Sequence, residues 1–273
     1  MPAALWWKSF YSRERSGTDL DALLDAAPAV ALPERGALVF PHTRLAASGP
    51  LVASVARAAA RSGRPVLALG VLHGARERDA SDLARARAGD DRARETLRGI
   101  HDETGLASEE FSLDTFRALY ERACAREGRP ARLTTRYPFL TGEHPEDLPG
   151  LQDLARLARD AAVVGTADPM HHGVGYGTAR PLDEALAGTA SFARARIEEQ
   201  LRALATPDFG DFARLCLRDA SDFRDVGPVL AVLKPASAWT LEEVDLVDYA
   251  DVLETPRPTW VAAGRIRVQA SPK

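Results

Sequence analysis

Three of the chain's histidines share one setting. His42 directly follows the apolar run ALVFP (37–41), His73 follows VLALGV (66–71), and His171 follows AAVVGTAD (161–168). Each run is too short for a helix and is bounded by polar, Pro or Gly residues, the pattern of a buried strand. In an open α/β sheet, side chains leaving neighbouring strands at their carboxyl ends converge, and ligands collect there. Imidazole offers a neutral nitrogen at physiological pH and is the commonest transition-metal ligand. One histidine after a strand is ordinarily a loop or capping residue, but three in the same place point to a metal site. A site for oxygen chemistry adds a carboxylate, because two histidines and one carboxylate leave positions open for substrate and dioxygen. The acids near expected strand or helix ends are Asp168, Asp219, Asp222 and Asp225, and periodicity does not choose among them. His101 and His144 lie in polar stretches and are expected at the surface.

The elements that must position these residues follow from the apolar pattern. Between the first two runs, Leu51, Val52, Val55, Ala58 and Ala59 recur at helical spacing within 48–62, giving strand, helix, strand, a βαβ unit. Residues 75–107 are charged and Ala-rich with no core face, and are expected as an excursion from the sheet. Helices are expected at 112–126 and 150–160. After the Gly-rich loop 173–177, a long helical stretch carries Leu182, Leu186, Phe192, Ile197, Leu201 and Leu204. Shorter helices at 208–218 and 225–234 flank residues 219–224. VDLVDYADV and TWVAAGRIRV near the end read as strands.

With 273 residues and neither a repeat nor a dividing linker, the chain reads as one α/β domain spanning 1–273. The expected architecture is an α/β/α sandwich around a mostly parallel or mixed sheet. Trp6, Trp7, Phe10 and Tyr11 form an aromatic cluster in the N-terminal segment 1–35. That segment is expected to pack across the domain, with a lid over the site or a dimer contact as the sharper readings.

Bulk composition narrows the partners. A hydrophobic content of 45% suits a globular core. A net charge of −4, with arginines interleaved among acids as in RERDASDLARARAGDDRARE, provides no evident basic patch for nucleic acid. Cys124 and Cys216 sit in expected helices beside apolar neighbours, so neither a disulfide framework nor a zinc knuckle is indicated, and a reducing cytoplasm fits. The N-terminus has no apolar run long enough for a signal peptide or membrane span. The expected partners are a small-molecule substrate and O2, with no nucleic acid or membrane, and the chain is expected as a monomer or homodimer.

In order along the chain, several segments resemble the Memo branch of the class III extradiol dioxygenase superfamily, the type of the protocatechuate 4,5-dioxygenase catalytic subunit. LVFPHTRLAASGPLVASVARAA resembles the strand, Pro-His and following helix near the start of Memo proteins. LALGVLHG resembles the Leu-Gly-Pro-x-His segment, and EEFSLDTFRALY the Glu-His-Ser-Leu-Glu stretch. VGTADPMHHG resembles Ser-Ser-Asp-x-x-His-x-Gly, DASDFRDVGPVLAVL the Cys-Gly-Arg-x-Pro-Ile segment, and DYADVLETPRPTWVAAGRIRV the closing hairpin. The resemblance runs from about residue 37 to the end.

It implies a class III dioxygenase-like fold with His42 and His73 as metal ligands. It places Asp222 where Memo proteins often have cysteine and ring-opening dioxygenases have glutamate. It implies His171 as the acid/base. Three departures reshape the pocket. Phe111 stands where the family usually has histidine, Arg44 where it has glycine, and His172 where it has an aromatic residue. Arg44, beside a ligand, is suited to a substrate carboxylate, and Tyr176, His172 and Arg224 complete the expected substrate contacts. The implied activity is that of a non-haem Fe(II), O2-using oxidoreductase acting on a small aromatic or amino-acid-derived substrate. Copper or zinc are the alternative metals. A Memo-like metal-binding redox or interaction protein and a zinc-type hydrolase are the alternative functions.

Overall fold

The computed structural model describes residues 3–140, 144–178 and 190–270. In chain order these form α1 (Ala3–Ser16), α2 (Leu20–Ala26), β1 (Ala37–Phe40), α3 (Leu45–Ser62), β2 (Val66–Leu69), α4 (Ala80–Arg87), α5 (Asp91–Leu97) and β3 (Gly99–His101). Then follow α6 (Asp114–Arg126), β4 (Leu133–Phe139), α7 (Leu151–Asp160), β5 (Ala162–Thr166), β6 (His171–Gly173), α8 (Ala190–Ala205), α9 (Phe209–Arg218), α10 (Phe223–Leu233), β7 (Ala236–Asp248), α11 (Ala250–Leu253) and β8 (Thr259–Ala270). Leu182 and Leu186, expected to open the long helix that becomes α8, lie outside the described residues.

The strands join one mixed sheet in the order β3-β4-β2-β5-β1-β8-β6, with β7 also paired to β8. The centre, β4-β2-β5-β1, is parallel, and the outer pairings are antiparallel. Strand alternation sorts the central residues into two cores. Ala37, Val39, Leu67, Leu69 and Val163 face one side and pack with Leu154, Ile197, Phe212 and Val226 of α7–α10. Leu38, Phe40, Val66, Ala68 and Val164 face the other and pack with Val55, Ala59, Phe116 and Leu119 of α3 and α6. Helices therefore cover both faces, which is why these strands read as continuous apolar runs rather than alternating ones. Each fully buried Leu, Val or Phe contributes about 1.5–3 kcal/mol.

The three strands that precede the site histidines are neighbours, β2-β5-β1, all parallel, so their carboxyl ends lie at one edge. The region 75–107 is only partly an excursion. It forms α4 and α5, but its end, β3, joins the sheet edge through β4. Neither β4 nor β6 is marked by an apolar run. His101 accordingly is not an exposed loop residue. It is a half-buried residue of β3 whose Nε2 meets the Leu97 carbonyl at 2.7 Å, and burial lowers its pKa. His144 is exposed.

Two details shape the site edge. α3 begins at Leu45, ahead of the expected start, because Glu14 of α1 accepts from Leu45 N at 3.1 Å and so satisfies the helix's first turn. β8 outlasts β1: its Ile266–Val268 end pairs β1, while its start pairs β6. The chain leaving β5 thus crosses the end of β1, with Ala167 N donating to Phe40 O at 3.1 Å, and comes down beside β8. Gly173 has φ +113, and a Cβ there would collide with the Pro258 carbonyl, so only glycine permits this approach. Among the described residues, no helix is long and apolar enough to cross a membrane.

Candidate metal centre

His42 follows β1 by two residues, His73 lies just beyond β2, and His171 opens β6. Asp222 immediately precedes α10. These four meet at the carboxyl edge of the parallel strands. Asp222 Oδ2 lies 3.1 Å from His42 Nε2 and 3.5 Å from His73 Nε2. His42 Nε2 is also 3.7 Å from Asp168 Oδ2. The potential donor atoms of His42, His73 and Asp222 lie within 4.8 Å of one another, and so do those of Asp168, His171 and Asp222.

Each histidine is held by its other nitrogen. Thr166 Oγ donates its single hydrogen to Phe40 O at 2.9 Å, so it accepts from His42 Nδ1–H at 3.0 Å. Glu110 accepts from His73 Nδ1–H at 3.2 Å, and the Ala220 carbonyl accepts from His171 Nδ1–H at 2.7 Å. A carbonyl or carboxylate only accepts, so the proton of each neutral ring sits on Nδ1 and Nε2 carries the lone pair. Fixing the tautomer this way is how proteins present histidine to a metal.

Glu110 is the anchor of this arrangement. Its carboxylate accepts from Gly74 N at 2.9 Å, Phe111 N at 2.8 Å, Ser112 N at 2.9 Å and His73 N. Burial alone would raise its pKa, but His73 and these N–H groups outweigh that and hold it at about 2. Asp222 is tied by one oxygen only: Oδ1 accepts from Asp168 N at 2.7 Å. Although Asp222 occupies the N-cap position of α10, it makes no side-chain cap bond there.

Asp222 Oδ2 is buried with no hydrogen-bond partner, and the Nε2 atoms nearest it carry lone pairs in the neutral rings. An orphaned buried carboxylate oxygen is costly. Two lone pairs and an anionic oxygen crowded together call for a cation between them. Ligand atoms bonded at about 2.1 Å to one ion lie roughly 3.0–3.4 Å apart in octahedral or tetrahedral geometry. The separations of 3.1 and 3.5 Å match. In the metal-free protein a proton is the substitute: burial disfavours a charged His42, yet Asp168 and Asp222 together raise its pKa to about 9. Burial likewise raises Asp168, whereas His42 and His73 outweigh it at Asp222 and hold that carboxyl below the usual range.

The remaining acids are committed elsewhere. Asp219 accepts from Gln200 Nε2 at 3.0 Å and pairs with Arg218, and Asp225 pairs with buried Arg94 at 3.0 Å and accepts from Leu140 N. This leaves Asp222, with Asp168 behind it, at the histidines.

The centre opens into a cavity of about 440 Å³. Tyr176 and Arg224 line it, as expected, and Tyr176 meets the His171 ring edge-on at 4.8 Å. Arg44 and His172 are not brought there. Arg44 Nε donates to Glu14 at 2.9 Å beneath α1. His172 is buried on the opposite side of β6, against Trp260 and Phe192. Period two on a strand sends adjacent residues to opposite faces, so only one of His171 and His172 can face the cavity.

Trp7 and Tyr11 of α1 line the cavity, so the aromatic N-terminal helix covers part of the site. Tyr11 and Tyr249 hydroxyls meet at 2.7 Å, and Thr43 joins Tyr249 at 2.7 Å. Burial raises both tyrosine pKa values, so both remain neutral phenols. Phe111 stacks on His73 at 5.0 Å and on Tyr11 at 5.3 Å, presenting an apolar face. Sequence reasoning passed over Glu110, Thr166, Tyr249 and Arg94. Glu110 stands at the first position of the Glu-His-Ser-Leu-Glu likeness, just ahead of α6, which was a visible signal, but its partner His73 is distant in sequence. No family model matches this chain, and no curated protein matches it.

Proposed function

We propose that this chain is a mononuclear non-haem Fe(II), O2-using oxidoreductase of the Memo-like, class III extradiol type, acting on a small aromatic substrate. His42, His73 and Asp222 hold the metal, and His171 handles protons. The observation that carries this reading is the buried, unpartnered Asp222 Oδ2 facing two Nε2 lone pairs. Bound iron would supply a common point for substrate and dioxygen, offsetting their low encounter probability.

The chain's own residues do the rest. His171 has Nδ1–H fixed on Ala220 O, so it takes a proton at Nε2, on the cavity side, and returns it later. Asp168 lies beside His171 and Asp222 at the same edge. Trp7, Phe111, Tyr176 and Phe139 give the cavity flat apolar walls, suited to a ring and adverse to bulk water. The donors are nitrogen and oxygen with no soft thiolate, which favours iron or zinc over copper(I). Cys216 also lines the cavity, but burial pushes its thiol pKa far up, so it is no thiolate ligand.

The test is anaerobic purification, metal analysis, and oxygen uptake with a panel of phenolic and amino-acid substrates. Iron with substrate-dependent oxygen uptake is the expected outcome. Zinc with hydrolysis and no oxygen uptake would replace this reading by the hydrolytic one.

A further inference from the structure

The amino edge of the parallel strands, opposite the metal edge, gathers cations. There β2 starts beside β4, with Val66 N donating to Arg132 O at 2.7 Å. α3 ends at Gly63, whose φ is +67, and α7 ends just before β5. Helix ends leave carbonyls unanswered, and here guanidiniums answer them. Arg129 Nη1 donates to the Ala60 and Arg61 carbonyls at 3.4 and 3.2 Å, and Arg132 Nη2 donates to the Gly63 carbonyl. Arg64 donates to the carbonyls of Glu34, Asp160 and Ala161. The approach of Arg129 depends on glycine, because a Cβ at Gly63 would stand 2.9 Å from Arg129 Nη1.

These contacts leave most of the charge standing. A helix carboxyl end carries only about half a negative charge, so two such ends offset about one of three guanidinium charges and leave about two. Arg64, Arg129 and Arg132 lie within the unbroken stretch 3–140, and among the described residues no carboxylate pairs with any of them. Their neighbours differ: Arg61 pairs with Glu127, and Arg122 and Arg126 pair with Asp21. The field reaches Lys234 at the end of α10, whose pKa is lowered by burial and further by the Arg64 charge.

The three arginines line a cavity of about 190 Å³. Buried Tyr120 and Cys124 line it too, together with Pro130. A guanidinium has five N–H donors. Arg129 and Arg132 each spend a single nitrogen on the carbonyls, so most of their donors remain. Forks of this kind take a phosphate bidentately. A phosphate monoester carries about −1.5 to −2 at pH 7, close to the charge left over.

We propose that this cavity is a phosphate-binding site, separate from the metal centre and formed by Arg64, Arg129 and Arg132, whose ligand is inorganic phosphate or a small phosphate monoester.

Calorimetric titration of the metal-free protein with inorganic phosphate at low ionic strength reads the site directly. One phosphate per chain is expected. Arg129→Gln and Arg132→Gln should each weaken binding about threefold to tenfold, and the double variant about tenfold to a hundredfold. An Arg129→Lys, Arg132→Lys protein, which keeps the charge but loses the forks, should recover part of the loss. Thermal melts check that each variant is folded, and if the glutamine pair is not, the single variants decide. Phenyl phosphate separates the two sources. Tighter binding than inorganic phosphate identifies an ester, and equal or weaker binding identifies the free ion. No saturable phosphate binding to wild type, or equal affinity in wild type and the glutamine variants, overturns the proposal. So does binding that one equivalent of zinc strengthens and the glutamine variants leave unchanged, which would put the phosphate at the metal centre.

Discussion

The two sides of the cavity are built on opposite principles. On the histidine side, almost every polar atom is answered by the fold: Glu110 by backbone N–H groups and His73, Thr166 by Phe40 O and His42, and Asp222 Oδ1 by Asp168 N. Asp222 Oδ2 remains without a hydrogen bond among the described residues, close to the Nε2 atoms of His42 and His73. On the other side, Arg224 lines the cavity and makes no hydrogen bond or ion pair among the described residues. One side crowds an anionic oxygen against nitrogen lone pairs, and the other carries a guanidinium without an ion pair among the described residues. Binding sites are recognisable by this incompleteness, because folding alone gives no reason to bury a polar group without its complement.

The largest test of the histidine side is its removal. A His42→Ala, His73→Ala double variant should lose nearly all bound metal while its circular dichroism stays native, since neither ring is part of the apolar cores. Full metal occupancy in that protein would show that the ligand set is wrong.

A sharper cut separates holding metal from moving protons. His171→Gln should keep metal near wild-type occupancy and lose about 10²–10⁴-fold in oxygen-dependent turnover. Loss of metal at this position would reassign His171 as a ligand, and unchanged turnover would remove it from the chemistry.

The missing cation also predicts a pH dependence. In the metal-free protein His42 titrates at about 9, above its ordinary value of 6.5. A raised folded pKa means the native state holds the proton more tightly. Its stabilisation is therefore complete below about 6.5 and is lost as pH rises through about 9, at most about 3 kcal/mol in all. Metal must displace that proton, so the stabilisation conferred by saturating zinc should instead grow with pH across the same window. In denaturant melts between about pH 6.5 and 9.5, the metal-free protein should lose stability as pH rises, while the zinc-loaded protein stays nearly level. Parallel slopes would mean that metal and proton do not compete at His42.

The smallest effect is expected at the support beneath His73. Glu110→Gln keeps the shape but turns one acceptor into a donor facing backbone N–H groups. Metal affinity should fall about 10–100-fold, read by competition with a chromogenic chelator. An unchanged affinity would mean that Glu110 supports only the fold.

Much of the frame was legible in the residues. ALVFP, VLALGV and AAVVGTAD are short apolar runs because strands buried on both faces need apolar side chains on both. They are adjacent parallel strands; the His42 and His73 rings meet, and His171 joins them through Asp222. β4 and β6 left little trace: LTTRYPF mixes polar residues where only an edge strand covers it, and β6 is three residues whose strand character comes entirely from pairing with β8.

The sequence by itself determined which residue types reach the carboxyl edge, since local apolar patterning sets where strands stop and which side chains come next. Only the tertiary structure decided what each does there. Asp219, Asp222 and Asp225 lie within one short stretch, yet Gln200, the histidines and Arg94 claim one each. Arg44 faces Glu14 because α1 lies across the start of α3. His171 faces the cavity and His172 the core because β6 registers against β8. These choices depend on partners far away in the chain, and a hydrogen-bond partner or a buried neighbour exists only once the sheet has brought distant segments together.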